Sequence, residues 1–71
     1  MKRPRPTPEE LQGMTVNERL FACGVLNKWE DAAKDRKREV MIAVLRDVAM
    51  TEKEAAWTTD TVLKNPKAYG F

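Results

Sequence analysis

Three times in this chain a threonine is followed three positions later by a glutamate: Thr7 and Glu10, Thr15 and Glu18, Thr51 and Glu54. Each pair has the form of a capping box. The threonine hydroxyl accepts a hydrogen bond from a first-turn N–H, and the glutamate reaches back to the threonine N–H. Orphan amides at a helix start are satisfied from both sides, so each box fixes where a helix begins. A chain punctuated this way is committed to helices. The expected class is all-α.

The boxes set the expected elements. Thr7 opens a short turn over Pro8–Gln12, with Pro8 at the favoured first position and Gly13 as its stop. Thr15 opens a helix expected over 16–34. Its inward positions are Ala22, Val25, Leu26, Trp29, Ala32 and Ala33, which follow the helical period. Gly24 lies inside it and reads as a point of close helix–helix approach, with a bend near Gly24–Asn27. Asn27 and Glu30 could form a fourth box that breaks the helix there. Asp35 reads as the N-cap of a helix over about 36–49. Met41, Val44, Leu45 and Val48 form its stripe, and its middle is apolar nearly all round, as in a central helix. Thr51 opens the last helix, about Glu52–Lys64, with Ala55, Ala56, Thr59, Val62 and Leu63 inward. Asn65-Pro66 ends it. Tyr69 and Phe71 are expected to fold back onto the bundle.

The picture is a compact bundle of three main helices, a short N-terminal turn and a basic, Pro-rich tail. Met14 directly precedes the second box. Residues 1–13 therefore read as a flexible arm, and 14–71 as one helical domain.

Seventy-one residues leave little core. A domain of this size buries only about 60% of the surface its unfolded chain exposes, and such cores rarely supply more than roughly 3–5 kcal/mol. Small domains often add a staple. Cys23 is the only cysteine and there is no histidine, so an internal disulfide is impossible and the usual nitrogen ligand of zinc is missing. Tight helix packing and self-association remain, and a homodimer is an open expectation.

The same inventory bears on chemistry. General acid–base catalysis near neutral pH most often uses histidine. Cys23 reads as a small buried hydrophobe in mid-helix rather than a nucleophile. The three glycines are scattered and form no phosphate loop. Glu52 and Glu54 are explained by a helix start, and Glu30-Asp31 by a helix surface. No enzyme, cofactor, metal site or small-molecule ligand is expected. The lone thiol fits a reducing cytoplasm, and no apolar run is long enough for a membrane span.

Two functional readings stay open. In the first, the chain is a non-enzymatic interaction protein that works through protein–protein contacts. Trp57, Tyr69 and Phe71 are its candidate contact residues, with Phe21 in reserve, because aromatics are enriched at binding hot spots. In the second, the chain is a helix-turn-helix-like nucleic-acid regulator. Lys34, Arg36, Lys37 and Arg38 would hold phosphate, and Arg3 and Arg5 would act as an arm. Net charge of +2 does not choose between them. The second carries a difficulty: the recognition helix would start Glu52-Lys53-Glu54, placing carboxylates against the backbone. No motif ties the chain to a named family.

Overall fold

A computed structural model describes residues 5–71. Five α-helices follow one another: α1 (Pro8–Gln12), α2 (Val16–Ala22), α3 (Leu26–Lys34), α4 (Arg38–Asp47) and α5 (Glu52–Lys64). A 3-10 turn, Pro66–Tyr69, ends the chain, and no strand occurs among the described residues.

All three capping boxes form. The threonine N–H donates to the glutamate carboxylate at 3.0 Å in each, and the glutamate N–H donates back to the threonine hydroxyl at 3.1–3.3 Å. They open α1, α2 and α5 at the positions the spacing dictates.

The helix count differs from expectation, and the cause lies at the C-terminal ends. The single helix expected over 16–34 is two. Gly24 does not mediate a close helix–helix approach, since nothing among the described residues lies within 4 Å of where its Cβ would be. It sits at φ +71° and ends α2. Gly24 N–H donates to Phe21 O and Val25 N–H to Leu20 O, both at 3.0 Å. This pair of bonds is the Schellman closure, which needs a left-handed residue after the cap. Cys23 is consequently the half-buried C-cap of α2, not a mid-helix residue. Ala22, expected inward, is exposed because the break re-phases the chain. The Asn27–Glu30 box does not form either; α3 starts from Val25 without a side-chain cap.

The same closure recurs twice without glycine. Arg36 (φ +55°) follows α3, with Arg36 N–H on Ala33 O and Lys37 N–H on Ala32 O. Ala49 (φ +68°) follows α4, with Ala49 N–H on Arg46 O and Met50 N–H on Leu45 O. Asp35 is therefore the C-cap of α3, not an N-cap, and α4 begins after Lys37.

The core lies where α4 meets α3 and α5. Met41 and Leu45 of α4 and its C-cap Val48 are fully buried, as are Ala55 and Thr59 of α5 and Leu20 of α2. Trp29, Ala32 and Ala33 supply α3's share. The α4 stripe is as read from the sequence, but the helix is not buried all round: Val40 and Ala43 face solvent. Before α2, Leu11 is buried and Gln12 Nε2 donates to Ala49 O at 3.2 Å, which docks α1 at the end of α4. Arg19 joins the same corner, donating to Met14 O and Val48 O. Arg3 and Lys2 lie outside the described residues.

Candidate functional site

A groove of about 960 Å³ runs between the α2–α3 side of the molecule and α5 with the C-terminal turn. Its position follows from the local events above. The break at Gly24 directs α2 and α3 apart, so that Phe21 and Trp29 face the groove from different helices. Asn65-Pro66 stops α5 and turns the chain back, which brings Ala68, Tyr69 and Phe71 to the opposite end. Gly70 makes this reversal at φ +87°, and Phe71 N–H donates to Pro66 O at 2.9 Å.

All four aromatic contact candidates line this one groove. Phe21 is 76% exposed, Trp57 70% and Tyr69 50%. Phe71 is half-buried against the core, so the C-terminal segment does return to the bundle. Trp29, by contrast, is buried at 5% exposure and belongs to the inner wall, with Leu26 and Val62.

Among the described residues, the charged side chains that line the groove are Glu18 and Glu30. Neither stood out in the sequence as a contact residue. Glu18 was absorbed by its capping role, and Glu30 by its neighbour Asp31. A signal was present: Glu18 is one helical turn before Phe21, and Glu30 follows Trp29. The Thr15 N–H, then the Thr15 hydroxyl, hold the Glu18 carboxyl below the usual range. It is an anion at neutral pH.

The basic candidates of the second reading are dispersed among other partners. Arg5 is ion-paired with Asp47 at 2.7 Å and also donates to Cys23 O. Arg38 is ion-paired with Asp60 at 2.7 Å. Arg36 donates to Leu63 O near the end of α5. Lys34 and Lys37 are exposed. None of these residues lines the groove.

As chemistry, the groove offers apolar and aromatic surface with two carboxylates and hydroxyl groups from Thr15, Thr58 and Thr61. The Thr61 hydroxyl donates to Trp57 O at 2.8 Å, so it is engaged within its own helix. Among the described residues, no three Cys, Asp or Glu side chains gather as a metal site. No helix there is long and apolar enough to cross a membrane. No protein-family model matches the chain, nor does any curated protein or solved structure.

Proposed function

We propose that the chain is a small, non-enzymatic, cytoplasmic interaction protein whose groove receives an apolar segment of a protein partner. One observation carries the reading: Phe21, Trp57, Tyr69 and Phe71, drawn from separate elements, converge on the same concave surface. Burying a large apolar side chain is worth about 1.5–3 kcal/mol. A chain with so small a core leaves that gain unused at Phe21 and Trp57. A partner seated between them recovers it, and aromatic residues around a concavity are the usual anchors of such binding.

The nucleic-acid reading has less support. Arg5 and Arg38 are held by carboxylates, and the α5 start presents Glu52 and Glu54.

The test is selection of peptides from a random display library on the intact protein, with the Phe21→Ala/Trp57→Ala double variant as counter-target. Both side chains are largely exposed, so the variant is expected to melt within a few degrees of the parent. Clones that bind the parent and lose the variant support the reading. Clones that bind both alike, or no clones at all, contradict it.

A further inference from the structure

The charge on the groove narrows the partner. We propose that its occupant is an amphipathic helix of another protein, with an apolar stripe flanked by lysine or arginine. This rests on the reading of the groove as a protein-binding surface.

The first argument is charge complementarity. The chain carries 13 Lys and Arg against 11 Asp and Glu, yet among the described residues no cation lines the groove and two carboxylates do. Opposite potentials across an interface steer encounter and reject wrong partners. The faces of Trp57 and Tyr69 add to this, because an exposed aromatic ring attracts a cation through its quadrupole. The same charges disfavour phosphate-bearing ligands. They also disfavour a second copy docked face to face, which would bring two grooves of like charge together.

The second argument concerns the occupant's backbone. Strand addition, one way an extended peptide binds, needs an open sheet edge, and the described residues contain no sheet. Most of the wall here comes from helices α2, α3 and α5, with the C-terminal turn at one end, and a helix laid in a helical groove buries an apolar stripe with its own backbone already satisfied, where an extended polyproline peptide leaves its amide and carbonyl groups to solvent.

The experiment uses synthetic peptides with one shared apolar stripe at i, i+3, i+4 and i+7. One is flanked by lysines, one by glutamates, and a third is the lysine peptide with a central proline. Each is titrated by calorimetry into the full chain at low and physiological salt. The lysine peptide is expected to bind at least about tenfold more tightly than the glutamate peptide, with the gap shrinking as salt screens it. The gap is expected to shrink as well in Glu18→Gln/Glu30→Gln, where glutamine at 18 still supplies the capping acceptor. The proline peptide is expected to lose binding.

Equal affinity for lysine and glutamate peptides, both abolished by Trp57→Ala, overturns the cationic partner and leaves the groove reading standing. Full binding by the proline peptide overturns the helical partner. No binding by any peptide overturns the inference. A stable homodimer that protects Trp57 from quenching by iodide also overturns it.

Discussion

Arg38 donates two hydrogen bonds to Asp60, Nε to Oδ1 at 2.7 Å and Nη2 to Oδ2 at 3.1 Å, across the seam between α4 and α5. The bidentate geometry engages this cation of the basic cluster with its own protein. Phosphate would have to compete with Asp60 for it. The chain is therefore expected to show no saturable binding to mixed-sequence duplex DNA tighter than roughly 0.1 mM at physiological salt, the weak end of non-specific affinity. Fluorescence anisotropy measures this. Micromolar binding that falls steeply with salt would revive the nucleic-acid reading.

Two substitutions test the helix ends, and they have opposite signs. Gly24 holds φ +71° with open space around it, so Gly24→Ala adds backbone strain without a clash. The expected loss is about 1 kcal/mol. Ala49 already bears that strain at φ +68°. Ala49→Gly is expected to relieve it, with a net gain of up to about 1 kcal/mol after the added flexibility of the unfolded chain is subtracted. Urea denaturation of both variants measures the difference. A stabilising Gly24→Ala would contradict the account of α2's end.

Thr59 is fully buried and its hydroxyl has no hydrogen-bond partner among the described residues. An orphaned buried hydroxyl costs desolvation with nothing in return. Thr59→Val keeps the shape and removes the polar atom, and is expected to stabilise the chain by about 1 kcal/mol. A loss of stability on denaturation would mean that the hydroxyl has a partner in solution.

The capping boxes give the fold a defined acid response. Backbone and hydroxyl donors of Thr7, Thr15 and Thr51 hold the carboxyls of Glu10, Glu18 and Glu54 below their ordinary value of 4.5. Hydrogen bonds from Arg5 and Arg38 do the same for Asp47 and Asp60, relative to 3.8. A carboxyl whose folded pKa is depressed contributes stability above its unfolded pKa and loses it as pH falls through the folded one. Stability is thus expected to hold steady from neutral pH to about pH 5 and to decline below that. Replacing all three glutamates by glutamine should flatten that decline. An unchanged acid limb in the triple variant would show that the boxes do not set it.

The starts of α1, α2 and α5 were legible in the sequence because a capping box is local: two side chains within four residues specify it. So were the ends of α1 and α5, marked by Gly13 and Asn65-Pro66. The ends of α2, α3 and α4, and with them the starts of α3 and α4, were not. Of the three left-handed residues that close α2, α3 and α4, only Gly24 is a glycine, and a glycine inside an apolar helical period reads equally as a packing residue. Arg36 and Ala49 carry no sequence signal for φ > 0. Their conformation is imposed by tertiary packing of the helices they join, against local preference. The aromatic candidates were legible for a similar reason. Trp57 lies off the stripe of Ala55, Thr59 and Val62, so helical phase alone places it outside the core. That Phe21 would share a surface with Tyr69 and Phe71 depends on the break at Gly24 and the reversal at Gly70. Glu18 and Glu30 were hidden because charge on a helix surface is ordinarily solvated.

The central claim is that the groove is the binding surface. Its most direct test is backbone amide chemical-shift mapping of the chain with a peptide taken from the display selection. The account predicts shifts confined to α2, the first half of α3, the α5 face around Trp57 and Thr61, and the turn through Tyr69 and Phe71. Trp57→Ala should abolish them while leaving the free spectrum folded. Shifts centred instead on Val40 and Ala43 of α4, or on Lys34–Arg38, would contradict it.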